Sequence, residues 1–235
     1  MAVEGLSPVY GYLERPSMLD FAGHLAMVCF TAGCNLRCGY CHNAGLLGTL
    51  RPGLAWDRLD AACRAFSLDW VDAAVITGGE PTLHADLQAL IARFHEQGWA
   101  VKLDTNGTNP DRLSACLPLL DYVAMDIKTG LSGYAALTGF DDGDAIRCSV
   151  RRIREDARDY EFRTTVIPGL HDEAAVREMA GLLSGAKRWI LQPFVPRDDL
   201  PDPRFRTMPR AQPETMEAVR RIAAEAVQEV VVRTG

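Results

Sequence analysis

Residues 73–81, Ala73-Ala74-Val75-Ile76-Thr77-Gly78-Gly79-Glu80-Pro81, run from a short β-rich stretch into a sharp break. Val75, Ile76 and Thr77 favour a strand, whereas the paired glycines and the proline end it. The following segment, 85–97, has the spacing of an amphipathic helix, and 100–104 returns to a β-rich run. This strand, turn, helix, strand unit decides the fold because it recurs in both directions along the chain. Strands are expected at 24–30, 73–77, 100–104, 122–127, 160–166 and 188–192, and helices at 55–66, 85–97, 111–116, 145–157, 173–184 and 214–226. Such alternation implies an α/β protein with a parallel sheet and right-handed crossovers. Polar strings sit where the strands end: Thr77-Gly78-Gly79-Glu80, Asp104-Thr105-Asn106-Gly107, Asp126-Ile127-Lys128 and Gln192-Pro193. Ligands bind at the carboxyl ends of strands in parallel α/β architectures, so one pocket can collect all four strings. The proline-rich segment 193–213 reads as an extended loop before the last helix.

The whole chain sets the outer limits. Its 235 residues fit one domain, read as 1–235 with a C-terminal loop and helix at 193–235, and no internal repeat or low-complexity stretch interrupts it. With 48% hydrophobic and 24% charged residues it has the composition of an ordinary globular protein. A net charge of -6 argues against nucleic acid as a partner, since that binding is driven by neutralising phosphates with Lys and Arg. Residues 1–16 carry Glu4 and Glu14 and no apolar run after a basic start, so no secretory signal is read, and no stretch is apolar for long enough to cross a membrane. The expected location is the cytoplasm. Thiols stay reduced there, and the seven cysteines are read as ligands, reactive groups or core residues before disulfides.

Three of those cysteines cluster in the loop 33–43, Gly33-Cys34-Asn35-Leu36-Arg37-Cys38-Gly39-Tyr40-Cys41-His42-Asn43, directly after the first expected strand. In the spacing CxxxCxxC, three thiolates can each bind one iron of a cubane cluster, which leaves the fourth iron open to a small molecule. The alternative is a zinc site completed by His42, although structural zinc more often uses two ligand pairs separated by a spacer. Cys29, Cys63, Cys116 and Cys148 lie apart and read as small apolar residues, so a single cluster is expected.

Cys34-x-x-x-Cys38-x-Tyr40-Cys41 followed by Thr77-Gly78-Gly79-Glu80-Pro81 resembles the radical S-adenosylmethionine enzymes. Tyr40-Cys41-His42-Asn43, Leu103-Asp104-Thr105-Asn106-Gly107, Ala124-Met125-Asp126-Ile127-Lys128 and 162–169 resemble more narrowly the activases of glycyl radical enzymes, above all those of anaerobic ribonucleoside-triphosphate reductase. The similarity runs from Tyr10 to Phe194. It implies a partial (β/α)6 barrel, open on one side, with one 4Fe-4S cluster on Cys34, Cys38 and Cys41 at its carboxyl-end mouth. It further implies that S-adenosylmethionine chelates the open iron and is cleaved by one electron to a 5′-deoxyadenosyl radical, which removes a hydrogen from a glycine of the partner enzyme.

By the same resemblance, Tyr40 meets the adenine, and Asp104, Thr105 and Asp126 could hold a monovalent cation. Lys128 and Arg163 are assigned to the methionine carboxylate, Arg163 through two donors. Asn106 belongs to the same cofactor-binding set. Read on their own, Gly78 and Gly79 let backbone approach a ligand, Glu80 offers an acceptor to an ammonium group, and the carboxylates of Asp104 and Asp126 need a cation or donor between them. His171 reads as loop or cap chemistry, and His42 as a partner of a cluster sulfur or the substrate. The chain departs from some activases in lacking an inserted ferredoxin-like domain, so electrons are expected from an outside donor such as flavodoxin or ferredoxin. No residue at Gln192 or Phe194 matches the usual ribose contact. Two other functions stay open: a radical enzyme acting on a small molecule, like the deazapurine-forming synthases, and a zinc-binding interaction module.

Overall fold

The computed structural model describes residues 5–68 and 70–233. The outer ends of the 1–235 and 193–235 segments, with Glu4, therefore lie outside the described residues. One sheet of eight strands runs in sequence order: β1 (Val9–Tyr12), β2 (Ala26–Thr31), β3 (Ala73–Gly78), β4 (Ala100–Thr105), β5 (Tyr122–Asp126), β6 (Tyr160–Val166), β7 (Arg188–Pro193) and β8 (Glu229–Val232). β1 pairs antiparallel to β2, and every later neighbour is parallel. β1 and β8 do not pair, so the barrel is partial and open. The helices are α1 (Trp56–Leu68), α2 (Leu87–His95), α3 (Pro110–Cys116), α4 (Tyr134–Thr138), α5 (Gly143–Asp156), α6 (Glu173–Leu183), α7 (Pro203–Arg206) and α8 (Pro213–Ala224). All six expected strands and all six expected helices are present, with ends shifted by up to two residues.

Four elements go beyond that expectation, among them the five-residue α4 that precedes α5. β1 and β8 are four-residue edge strands, too short for alternation to register. α7 interrupts the proline-rich loop: Pro203 begins it, a position where a missing N–H costs nothing, and Asp202 accepts from the Arg204 N–H. Elsewhere the caps are legible locally, with Asn109, Asp142 and Asp172 each accepting a backbone N–H three residues on.

Alternation within the strands separates two interiors. Met27, Cys29, Ile76, Val101, Leu103, Val123, Met125, Phe162 and Trp189 point outward and pack under the helices. On the other face, Ala26, Val28, Ala73 and Val75 form a small apolar plug with Phe21 at the amino ends of the strands. Farther along the same face the residues are charged: Lys102, Asp104, Asp126, Glu161 and Arg163. The barrel is thus apolar at its base and ionic toward its mouth.

Candidate active site

At the carboxyl ends of the strands lies a cavity of about 440 Å³. Cys34, Cys38, Tyr40, Cys41, Gly78, Gly79, Glu80, Asp104, Thr105, Asn106, Asp126, Lys128 and Arg163 all line it. Residues separated by 129 positions in sequence are brought to one wall because each follows or ends a neighbouring parallel strand. Asp20 and Leu47 line it too, without having been signalled by any motif, as does Thr165, which the string 162–169 contains but to which no role was assigned. Thr165 was legible in principle, two residues beyond Arg163 on the same strand face.

The cysteine loop is held by backbone bonds to its surroundings. Gly33 and Cys34 N–H groups donate to Leu46 and Gly48 carbonyls, and Arg37 N–H donates to Thr138 O. Two donors approach the Cys34 sulfur, Leu36 N–H at 3.4 Å and Asn106 Nδ2 at 3.8 Å. Burial pushes the Cys34 thiol up to about 11, against the lowering effect of the Leu36 N–H, and burial raises Cys38 and Cys41 as well. Donors aimed at sulfur and three thiols on one cavity wall suit an iron–sulfur cluster, whose protein ligands each bind a separate iron. A single zinc ion requires its ligands gathered around one point. Among the described residues no three His, Cys, Asp or Glu side chains are so gathered, and His42 turns its Nε2 to Val195 O at 3.3 Å.

Gly78 and Gly79 serve the chain's own packing. Gly78 has φ +126°, and a Cβ at Gly79 would lie 2.0 Å from Gly33 O, so the strand-end turn presses against the cysteine loop. Glu80 is fully buried and already has four donors: Thr82 N–H at 3.0 Å, Thr82 Oγ1 at 2.6 Å and Thr105 Oγ1 at 2.8 Å on one oxygen, and Asn106 N–H at 2.6 Å on the other. Burial raises its carboxyl and these bonds oppose the rise. Glu80 therefore ties the β3 turn to the β4 turn, and Thr105 spends its hydroxyl there.

Between Asp104 and Asp126 stands a guanidinium. Arg163 Nη1 is 3.1 Å from Asp104 Oδ2, and its Nε is 2.9 Å from Asp126 Oδ1. Lys128 Nζ lies 2.8 Å from Asp126 Oδ2. Burial would raise the Asp126 carboxyl, but Arg163 and Lys128 outweigh it and hold it well below the usual carboxylate range. The donor demanded by two facing carboxylates is thus built into the chain. Asp104 Oδ1 is buried without a hydrogen-bond partner, and the cation facing it is the Lys102 ammonium at 3.6 Å.

Tyr40 is buried beside the cavity, its ring 5.6 Å from that of Phe205. Leu36, Cys38, Ile167, Phe194, Leu200 and Phe205 complete that small core, so the C-terminal loop covers the flank of the cysteine loop. Phe194 is used there, and Gln192 lines the cavity. His171 lies outside the cavity: it accepts from Ile167 N–H at Nδ1 (2.8 Å) and donates from Nε2 to Lys128 O (2.8 Å), linking the loops after β5 and β6. The adjacent Asp172, and not His171, caps α6. Cys29, Cys63 and Cys116 are buried as expected of small apolar residues, while Cys148 is partly exposed.

Comparison with known proteins bears on this geometry. A family model described as the radical SAM superfamily matches residues 28–180. A Methanocaldococcus jannaschii protein provisionally named a glycyl-radical enzyme activating enzyme is 31% identical over 226 residues, covering 93% of this chain and 92% of that protein. A 7-carboxy-7-deazaguanine synthase of Bacteroides thetaiotaomicron is 38% identical over 101 residues, 43% of this chain and 48% of its own length. Among solved structures, a domain of pyruvate-formate lyase-activating enzyme from Bacteroides vulgatus aligns with a TM-score of 0.57 at 18% identity, over 69% of this chain and 99% of that one, a likeness of fold alone.

Proposed function

The chain belongs to the radical SAM superfamily, and we propose that within it the protein is an activase that installs a glycyl radical on a partner enzyme, anaerobic ribonucleoside-triphosphate reductase being the partner favoured. Membership brings a 4Fe-4S cluster and S-adenosylmethionine as cofactors. When bound and reduced, the cluster supplies the electron that breaks the sulfur–C5′ bond of S-adenosylmethionine. Cys34, Cys38 and Cys41 would hold it, with Asn106 and the Leu36 N–H directing donors at the first of these sulfurs.

Lys128 and Arg163 would orient the methionine carboxylate while remaining paired to Asp126 and Asp104. The ammonium group, assigned from sequence to Glu80, would find no free acceptor there, because Glu80 is saturated by Thr82, Thr105 and Asn106. Tyr40 would border the adenine. We take residues 1–235 as one catalytic domain working in the cytoplasm, with electrons from a flavodoxin or ferredoxin. No helix among the described residues is long and apolar enough to cross a membrane.

The observation that carries the activase reading is the likeness to the Methanocaldococcus jannaschii protein across nearly the full length of both chains. The open barrel supports it, since a polypeptide loop has to reach the radical. Anaerobic incubation of the reduced holoprotein with S-adenosylmethionine and the reductase should produce a glycyl radical signal by electron paramagnetic resonance. A panel of glycyl radical enzymes that all stay silent would overturn the reading. The shorter match to the deazaguanine synthase keeps a small-molecule substrate as the second reading. It would be favoured if turnover depended on a purine precursor in place of a protein.

A further inference from the structure

We propose that the Lys102 ammonium takes the place of a monovalent metal ion beside the cofactor, so that this protein binds S-adenosylmethionine without potassium or sodium. The proposal rests on the cofactor reading of the cavity and not on the identity of the partner enzyme.

Each of the four carboxylate oxygens of Asp104 and Asp126 faces a different nitrogen of a chain-borne cation. Arg163 serves Asp104 Oδ2 at 3.1 Å and Asp126 Oδ1 at 2.9 Å, Lys128 serves Asp126 Oδ2 at 2.8 Å, and Lys102 Nζ stands 3.6 Å from Asp104 Oδ1. Lys102 sits on β4 two residues before Asp104, so both side chains share the inner face, and only 3% of Lys102 is exposed.

Its surroundings are those of an alkali cation, a shell of oxygens. Nζ donates to Asp20 O at 2.5 Å and lies 3.8 Å from Glu161 Oε1, with the Tyr122 ring centroid 5.5 Å away. Asp20 and Asp104 both line the cavity, so this ammonium joins two of its walls from beneath. The inner layer is also balanced: Lys102, Lys128 and Arg163 oppose Asp104, Asp126 and Glu161, while Arg233 and, through Tyr122, Arg188 reach Glu161 from the rim. Another cation would upset that balance, and loss of one would strand a buried carboxylate.

The test is equilibrium binding of S-adenosylmethionine to the cluster-loaded protein with potassium, sodium or tetramethylammonium as the sole monovalent cation. The parent should bind equally in all three, within about twofold. Lys102→Ala, which vacates the niche, should bind about tenfold more weakly in tetramethylammonium and recover with potassium, sodium or ethylammonium. Lys102→Arg should stay independent of the ion. If Lys102→Ala does not take up its cluster, the parent series and Lys102→Arg decide alone. Parent affinity that rises severalfold with potassium or sodium overturns the proposal. So does a loss in Lys102→Ala that is equal in every salt, because Lys102 would then be structural only. Ion-independent binding without activation of any glycyl radical enzyme sinks the activase reading and leaves this one standing, whereas no binding in any salt sinks the cofactor reading and this proposal with it.

Discussion

Glu80 illustrates how a residue's surroundings redirect its role. Its string and strand-end position were legible from sequence, but its partners, Thr82, Thr105 and Asn106, were not, because two of them arrive from the next strand's turn. Replacing it with Gln keeps the shape and substitutes an NH2 group that cannot accept from a neighbouring donor. Glu80→Gln should cost about 2 kcal/mol of stability, the range for leaving buried donors unmatched, in a denaturant titration of the holoprotein. A variant with parental stability but lost cofactor affinity would return the ammonium to Glu80.

His171 sets a pH dependence at the same scale. Burial lowers its pKa, and accepting from Ile167 N–H requires a neutral ring. The unfolded chain then binds more protons than the folded one below the free imidazole value near ~6.5, so this contribution to stability is complete above that value and declines as the pH falls beneath it. His171→Gln should flatten the slope of stability between about pH 6.5 and 5; an unchanged slope would exclude His171 as its source.

At the level of elements, the cysteine loop is wedged between the β3 turn and the C-terminal loop. Gly79→Ala would drive a methyl group to within 2.0 Å of Gly33 O, which only a shift of the loop can relieve. Iron and sulfide content after reconstitution should fall well below the parental level, and full occupancy would contradict this packing. Phe205→Ala removes a ring that is 5% exposed and lies against Tyr40. It should cost about 3 kcal/mol, at the lower end for a buried aromatic, and speed cluster loss to a chelator severalfold; parental chelation kinetics would show that α7 does not shield the loop. Sequence alone located the cysteine loop because its motif is contiguous. It did not reveal the cover, since Tyr40 and Phe205 are joined only through the fold and α7 lay in a stretch dominated by proline.

Across the whole molecule, β2 to β7 and the helices α1, α2, α3, α5, α6 and α8 were readable because each carries its own periodicity and turn signals. β1 and β8 were not, being short edges whose definition comes from pairing with β2 and β7. The candidate site follows the same division. Thirteen expected residues share one cavity because strand ends in a parallel sheet converge regardless of sequence separation. The ionic layer beneath them was only partly visible: Lys102 and Glu161 are ordinary strand residues until β4, β5 and β6 set them side by side. An apolar base, an ionic middle and an unroofed mouth make a barrel that orders a charged cofactor while leaving a way in for a polypeptide.

The most direct test of that account follows one hydrogen atom. The reduced holoprotein is incubated with S-adenosylmethionine and a glycyl radical enzyme deuterated at its glycine Cα, and the 5′-deoxyadenosine formed is weighed by mass spectrometry. One deuterium in the product, a radical on the partner, and neither with Cys38→Ala are the predicted results. Unlabelled 5′-deoxyadenosine, formed with no radical on any partner tried, would contradict it.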